Sequence, residues 1–195
     1  MEIVKCKLTK EIILEKTLAL VDKRNGIRSV TLRDIAKEVG CTHTNLYNYF
    51  DSLDDIFWEA LGKVLNMIMD YTTYGFNAQN GSEKGVNLIL ANLIDFYMNH
   101  PGWYRLVWLD SLNGKPSVEV EAILHKPSIG FAELIRAEKG EIMEEDAHTT
   151  GEIMMHYLNG EMCALINGRS FVNDREQVKQ KLLFNLKNLY RLLTQ

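Results

Sequence analysis

The chain has 195 residues, of which 46% are hydrophobic and 25% are charged, and its formal net charge at pH 7 is −4. This balance is typical of a globular protein with a hydrophobic core and argues against wholesale disorder. The three cysteines are widely spaced, which argues against a disulfide framework or a zinc knuckle, and no apolar run reaches the roughly 18 residues of a membrane-spanning helix. We therefore expect a soluble, cytoplasmic protein.

The charge is distributed unevenly along the chain. Residues 1–50 hold nine Lys and Arg against six Asp and Glu, a net charge of +3, whereas residues 51–195 have a net charge of −7. Only the first segment would be attracted to phosphates, and the acidic remainder would be repelled by them. This asymmetry favours a nucleic-acid ligand bound by the N-terminal part of the chain.

Apolar residues recur at helical spacing along the whole chain, and no segment shows the alternation of a half-buried strand. We therefore predict an all-α fold of about nine helices. They are a helix over residues 9–24, two short helices within residues 31–50, a long helix over residues 53–74, a helix containing residues 86–97, a short helix over residues 103–112, a helical stretch over residues 117–138, and two final helices over residues 146–167 and 174–193. Pro127 should kink or divide its stretch, because proline cannot donate a helical hydrogen bond. Residues 75–83 and 138–146 are predicted to be loops.

The twenty residues TLRDIAKEVGCTHTNLYNYF, which begin at Thr31, have the features of two short helices that meet at a sharp angle. Thr31 and Asp34 have the spacing of a capping box, and Thr42 is expected to cap the second helix. Ala36 is small enough for the point at which the helices touch, and Gly40 accepts the positive φ of the turn between them. The apolar residues expected to pack this pair against the first helix are Ile35, Val39, Cys41, Leu46 and Tyr49. Together these features predict a helix-turn-helix.

The same stretch resembles the N-terminal domain of the TetR (tetracycline-repressor-like) family, whose pattern runs T-x-x-x-I-A-x-x-x-G-V-S-x-x-x-L-Y-x-Y-F. The matching residues are Thr31, Ile35, Ala36, Gly40, Thr42, Leu46, Tyr47, Tyr49 and Phe50. Cys41 stands where valine is usual, and Leu53 stands where a lysine usually begins the fourth helix. The resemblance implies a three-helix DNA-binding domain over residues 1–52, followed over residues 53–195 by a larger helical bundle for ligand binding and dimerisation.

The resemblance also implies which side chains contact DNA, with residues 42–48 forming the recognition helix in the major groove. The implied DNA-binding residues are Arg33, Thr42, His43, Thr44, Asn45, Tyr47 and Tyr49. The amide of Asn45 suits an adenine edge, and Thr44 suits a thymine methyl group. Tyr47, Tyr49 and the lysines at positions 5, 7 and 10 are candidates for contacts to the DNA backbone.

For several of these residues a purely structural role stays open. Asn45 is alternatively only a hydrogen-bonding partner of Thr42 at the start of the helix. Tyr49 and Phe50 are alternatively core residues, and the N-terminal lysines are alternatively a solvated terminus.

The larger half is expected to dimerise and to bind an effector. By resemblance, the last two helices pair with those of a second copy, which places two recognition helices roughly 34–36 Å apart on a pseudo-palindromic operator. The family also has a pocket whose small-molecule ligand, here apolar or aromatic, releases the repressor from DNA. The tentative pocket residues are Tyr71, Phe96, Tyr97, Trp103, Tyr104, Trp108 and Met154.

Two alternatives stay open for this half. In the first, it serves only dimerisation or partner recruitment, without a ligand switch. In the second, the chain is a metal-dependent helical-bundle enzyme, because residues at helical spacing place carboxylates and imidazoles on one helix face. These residues are Glu145, His148, Glu152 and His156. The second Glu-x-x-His motif that di-iron chemistry needs is absent from the sequence, so we expect a solvated face, no metal, no cofactor and no catalytic residues.

Overall fold

The computed structural model describes residues 8–74, 83–170 and 174–195. Every regular element in these ranges is an α-helix, which confirms the all-α prediction. The helices are α1 (Lys10–Lys23), α2 (Leu32–Val39), α3 (His43–Leu46), α4 (Leu53–Thr73), α5 (Glu83–Asn99), α6 (Pro101–Trp108), α7 (Val118–Leu124), α8 (Lys126–Lys139), α9 (Glu144–Ile166) and α10 (Arg175–Leu193). None of these described helices combines the length and apolarity that crossing a membrane requires.

The described residues contain ten helices, whereas about nine were predicted, and the additional helix arises at Pro127. Pro127 divides the stretch 117–138 into α7 and α8 and lies in the first turn of α8, where a missing N–H group costs no helical hydrogen bond. The predicted loop 75–83 lies almost wholly outside the described residues, and α5 begins at Glu83.

The bounds of helix α6 differ from the predicted range, residues 103–112. It begins at Pro101 and ends at Trp108. It ends early because the N–H groups of Leu109 and Asp110 both donate to the Arg105 carbonyl, each at 2.8 Å, and this breaks the regular helical ladder.

The described chain forms two compact units. The first contains the described part of Met1–Leu65 together with His100–Ala122, and the second contains the described parts of Asn66–Asn99 and Ile123–Gln195. The domain boundary expected at residue 52 stays a prediction, because this grouping places the beginning of α4 and all of α6 in the same unit as α1–α3.

In the first unit, α1 is the central helix and packs against α2 and α6. Its buried residues are Ile13, Leu14, Thr17, Leu18, Leu20 and Val21. Gly102 allows α6 to approach α1 closely, since a Cβ atom there would lie 2.3 Å from the Val21 carbonyl oxygen. At the other end of α6, the carboxylate of Asp110 accepts a hydrogen bond from the Ile27 N–H at 3.0 Å. Both ends of α6 are therefore held against the segment that leads into α2.

In the second unit, α9 packs against α8 and α10, and α5 packs against α8 and α10. The fully buried residues of α9 and α10 are Ala147, Met154, Leu158, Met162 and Leu186. Glu138 links three elements of this unit, because its carboxylate accepts from the Val86 N–H and from the Tyr190 hydroxyl, each at 2.8 Å. This unit is held mainly by the apolar faces of long helices.

Candidate nucleic-acid interface

Helix α2 begins at the capping box that the sequence predicted. The Thr31 Oγ1 accepts from the Asp34 N–H at 3.3 Å, and the Asp34 carboxylate accepts from the Thr31 N–H at 3.0 Å. Gly40 ends the helix with φ 73°, a left-handed conformation that glycine adopts without steric cost, as predicted. Both ends of this eight-residue helix are thus fixed by local hydrogen bonds.

An ion pair joins the beginning of α2 to the end of α1. The guanidinium of Arg24 donates to both carboxylate oxygens of Asp34, at 2.8 and 2.9 Å, and also to the Ser29 carbonyl. These bonds from Arg24, followed by those from Thr31, hold the pKa of Asp34 well below its ordinary value of 3.8. The same pairing raises the pKa of Arg24. The positive charge of Arg24 is therefore paired with Asp34, and this pair orients α2 relative to the end of α1.

Helix α3 is shorter than predicted and begins differently. It spans only His43–Leu46, and a tight turn follows in which the Tyr49 N–H donates to the Leu46 carbonyl at 2.9 Å. The expectation that the Thr42 hydroxyl caps this helix is wrong, because no side-chain cap bond forms there. Its Oγ1 lies 3.1 Å from the Oγ1 of Thr44, so one of these two hydroxyls donates a hydrogen bond to the other.

The orientation of α3 is set by one buried side chain. Leu46 is 0% exposed and anchors the inner face of α3. At about 100° per residue, Thr44 lies roughly 160° around the axis of α3 from Leu46 and so projects outward, and Asn48 lies in the turn that follows the helix. Both side chains are exposed, as are His43 and Tyr47.

The seven residues implied as DNA contacts fall into two groups. The exposed ones are Arg33, Thr42, His43, Thr44 and Tyr47. The other two, Asn45 and Tyr49, are half-buried. The Tyr49 hydroxyl donates to the Leu8 carbonyl at 2.9 Å and ties the end of α3 to the residues before α1, whereas Phe50 is a core residue.

Two asparagines at the outer side of α3 are joined by their side chains. The Nδ2 of Asn48 donates to the Oδ1 of Asn45 at 2.7 Å. Burial raises the pKa of the Cys41 thiol, and the side chain of Asn45 opposes the rise; the thiol itself donates to the Thr42 carbonyl at 3.3 Å. Asn48 was not among the DNA-binding residues predicted from the sequence. Its polar side chain, two positions after the apolar Leu46, is the signal that could have identified it.

The cations of this surface come from α1 and α2. Residues 38–62 contain no Lys or Arg, so α3 and the beginning of α4 are uncharged or acidic. Lys10, Arg33 and Lys37 are exposed, and the Lys10 ammonium lies 5.1 Å from the centroid of the Phe50 ring. The lysines at positions 5 and 7 lie outside the described residues. The arrangement is an uncharged hydrogen-bonding face with cations beside it.

The tentative effector residues divide between the two units. In the second unit, the ring centroids of Tyr71 and Phe96 are 5.5 Å apart, those of Phe96 and Tyr97 are 6.1 Å apart, and Met154 is fully buried. Their arrangement is a small aromatic cluster with one exposed member, Tyr71.

The other three effector residues belong to the first unit. The indole N–H of Trp103 donates to the Leu18 carbonyl at 2.9 Å, and its ring stacks on His100 at 3.9 Å. Tyr104 is 0% exposed, and Trp108 is 44% exposed.

The polar face of α9 was the alternative metal site. Glu145, Glu152 and His156 are exposed, and His148 is half-buried. In the part of the chain that the structure describes, no three His, Cys, Asp or Glu side chains are grouped so that they would hold a metal ion.

Comparison with known proteins gives a family match over the segment that contains α2 and α3. Residues 13–60 match the family described as bacterial regulatory proteins, tetR family. The chain is 21% identical over 175 residues to the nucleoid occlusion factor SlmA of Actinobacillus pleuropneumoniae serotype 5b (strain L20), covering 87% of this chain and 86% of that protein. It is 30% identical over 95 residues to SlmA of Glaesserella parasuis serovar 5 (strain SH0165), covering 49% of this chain and 47% of that protein.

Solved structures share the fold over most of the chain. A tetR-family transcriptional regulator from Streptomyces coelicolor has a TM-score of 0.72 at 14% identity, covering 93% of this chain and 82% of that one. A TetR transcriptional regulator from Rhodococcus sp. RHA1 has a TM-score of 0.59 at 18% identity, covering 93% and 96%. The similar proteins named above are described as nucleoid occlusion factors and as transcriptional regulators.

Proposed function

We propose that the chain is a transcriptional repressor that binds a pseudo-palindromic operator as a homodimer, because residues 13–60 match the family described as bacterial regulatory proteins, tetR family. The observation that carries the proposal is the α2–α3 arrangement. Capping bonds and the Arg24–Asp34 pair hold α2, Leu46 anchors α3, and an exposed row of hydroxyl, imidazole and amide groups faces outward. Such a row matches the donor and acceptor pattern of a major groove.

The charges beside this row support a bound polyanion. Arg33 and Lys37 are exposed on α2, and Lys10 is exposed at the beginning of α1. Lys63, the next cation after α3 in the sequence, is paired with Glu11 and Glu15 and contributes no free charge. Phosphate contacts therefore come from α1 and α2, while α3 reads bases.

The proposed homodimer forms through α9 and α10. Apolar side chains on these helices are exposed in the single chain: Ile153 to 39%, Phe184 to 68% and Leu192 to 63%. Phe184 lies about 160° around α10 from the buried Leu186, so α10 has an apolar group on both sides. A second copy of the same surface would remove these groups from water with two-fold symmetry.

We further propose that a small apolar or aromatic effector binds the larger half and releases DNA. The support is the aromatic cluster of Tyr71, Phe96 and Tyr97 with the flexible Met154 in the same unit.

A second candidate function is a DNA-binding factor without a ligand switch, which recruits a partner. The match to nucleoid occlusion factors over 87% of the chain favours this candidate.

DNA binding is tested by a salt titration with duplexes from the region upstream of the coding gene. We expect one symmetric site to be bound specifically, with affinity falling steeply as salt rises. Replacing Arg33 or Lys37 with alanine should weaken binding on all duplexes and reduce the salt slope by about 1 in each subunit for every phosphate that the variant no longer neutralises. Lys126→Ala, which removes an exposed lysine of the second unit, is the matched control. Binding that is absent or independent of salt would contradict the proposal.

The dimer is tested at Gly160, on the exposed side of α9. A Cβ atom added there would meet no atom within 4 Å in the single chain, and the same is true of Gly130 in α8. We expect Gly160→Arg to give monomers in analytical ultracentrifugation, whereas Gly130→Arg stays dimeric. Equal behaviour of the two variants would exclude this face of α9 as the interface.

The two candidate functions are separated in the same DNA-binding assay. A set of apolar and aromatic compounds is added to the operator complex, and release is measured by fluorescence anisotropy. Release that Tyr71→Ala weakens, with DNA affinity unchanged, supports the effector. Binding of an effector to the free protein with no change in DNA affinity excludes the switch, because a ligand shifts an equilibrium only by its differential affinity.

A further inference from the structure

We infer that Asn48 reads a base edge, and that Asn45 is a positioning residue that holds the Asn48 amide in place; this inference rests on the DNA binding proposed above. It reverses the roles that the sequence implied, in which Asn45 reads adenine. It also adds a specificity-determining residue to the exposed row of α3.

The two asparagine side chains differ in their accessibility. Asn45 lies within α3, about 100° around its axis from the buried Leu46, whereas Asn48 lies in the turn that follows the helix, where its N–H donates to the Asn45 carbonyl at 3.2 Å. Asn48 is exposed and Asn45 is half-buried. Of the two amides, that of Asn48 is therefore the more accessible to a ligand.

The two amides also differ in the hydrogen bonds that they can still make. A carboxamide has two N–H donors and one oxygen that accepts. Asn48 uses one N–H on the Asn45 oxygen, at 2.7 Å, which leaves one N–H and its own oxygen for a ligand. One donor and one acceptor are what the major-groove edge of adenine requires, at N7 and N6 respectively.

Asn45 is committed to the protein instead. Its oxygen accepts from Asn48, and its side chain is half-buried near Cys41, in the turn between α2 and α3. Asn45 therefore connects the Asn48 amide to the turn. An amide held in one orientation loses less rotational freedom when it binds a base, which increases its discrimination.

The experiment uses the full-length protein and the operator duplex found in the salt titration. Each adenine of the half-site is replaced in turn, symmetrically in both half-sites, by 7-deazaadenine, which removes the N7 acceptor and leaves base pairing intact. Affinities are measured for the wild type, Asn48→Ala, Asn45→Ala and the double variant. Asn66→Ala, which removes an exposed asparagine of α4, is the matched control, and circular dichroism establishes that each variant is folded.

We expect the wild type and Asn66→Ala to lose affinity about 5-fold or more at one adenine. Asn48→Ala should lose all sensitivity at that position, and Asn45→Ala should lose part of it at the same position. Because Asn45 acts through Asn48, the double variant should match Asn48→Ala, which is a readout that a merely structural role of Asn45 would not produce.

Three results would overturn the inference while leaving the proposed function intact. The first is a wild-type sensitivity profile that Asn48→Ala leaves unchanged. The second is an equal loss of affinity of Asn48→Ala on all duplexes, which identifies a backbone contact. The third is loss of sensitivity in Asn45→Ala at an adenine that Asn48→Ala does not affect, which makes Asn45 the reader. Absence of any specific site for the wild type would instead overturn the proposed function itself.

Discussion

The α2–α3 segment and the α9–α10 pair are both built from helices, yet they are stabilised in opposite ways. Helix α2 has eight residues and depends on a capping box, a left-handed glycine and an ion pair, and the four-residue α3 is anchored by the single buried side chain of Leu46. Helices α9 and α10 have 23 and 19 residues and bury apolar residues along their length.

The difference follows from helix length. A helix of one or two turns has few intrahelical hydrogen bonds and little apolar surface, so its unsatisfied end groups dominate its stability. A long helix buries several apolar residues on one face, and its other faces can still contact another surface. The short pair therefore presents polar groups at its outer surface, as a nucleic-acid ligand requires, and the long pair presents Ile153, Phe184 and Leu192, as a second protein surface requires.

The strongest test of this comparison removes the apolar anchor of the short segment. Leu46→Ala should lower the free energy of unfolding by about 2–5 kcal/mol, because the vacated volume cannot be refilled fully. Urea denaturation measures the loss. Leu158→Ala in α9, also 0% exposed, should cost a similar amount, but only Leu46→Ala should abolish DNA binding under conditions in which both variants are folded. Normal DNA affinity in folded Leu46→Ala would show that α3 does not depend on this anchor.

The second test concerns the exposed apolar side of the long pair. Phe184→Ser should weaken the dimer by about 1.5–3 kcal/mol for each copy of the side chain, the range for burying a phenylalanine. Sedimentation equilibrium measures the dissociation constant. Val118→Ser in α7, where the side chain is 78% exposed, is the control and should leave the constant unchanged. An unchanged constant in Phe184→Ser would remove α10 from the interface.

The third test compares Thr31 and Thr42, each of which was predicted from the sequence to cap a helix. Thr31→Ala removes a cap bond and should cost about 0.5–2 kcal/mol of stability. Thr42→Ala removes a hydroxyl that caps nothing and should cost less than about 0.5 kcal/mol. Thermal denaturation of the two variants gives the difference, and equal costs would be inconsistent with the cap geometry described above.

The smallest effect is the pH dependence contributed by Asp34. Its pKa in the folded protein lies below the ordinary value of 3.8, so its ionised form stabilises the fold. This contribution is fully present above pH 3.8 and is lost as the pH falls further, through the lowered pKa. We therefore expect the difference in unfolding free energy between the wild type and Asp34→Asn to be constant at neutral pH and to shrink below about pH 4. A difference that stays constant down to about pH 2 would contradict the role of the Arg24 pair.

Features that depend on neighbouring residues were predicted well. The Thr31–Asp34 capping box, the left-handed Gly40 and the division of a helix at Pro127 all involve residues within a few positions of one another. Their physical causes are steric and local, so the spacing of residue types is sufficient to predict them.

Features that depend on competition between partners were predicted less well. The Thr42 hydroxyl had the right spacing for a cap but pairs with Thr44 instead. The Asn45 oxygen accepts a hydrogen bond from the Asn48 amide, a pairing that the sequence did not predict. In both cases the residue type permits several hydrogen bonds, and only the three-dimensional arrangement selects one.

The sequence by itself therefore determined the all-helical fold, the helix-turn-helix and the location of the basic segment, because periodicity, capping and charge are properties of residues close together in the chain. The tertiary structure alone decided which of those residues face outward. The segment that follows α6 is held by Asp110, whose carboxylate accepts a hydrogen bond from the Ile27 N–H at a separation of 83 residues. Likewise, the outward position of Thr44 depends on the burial of Leu46 beneath α3. Both are consequences of packing between distant segments, which residue spacing does not specify.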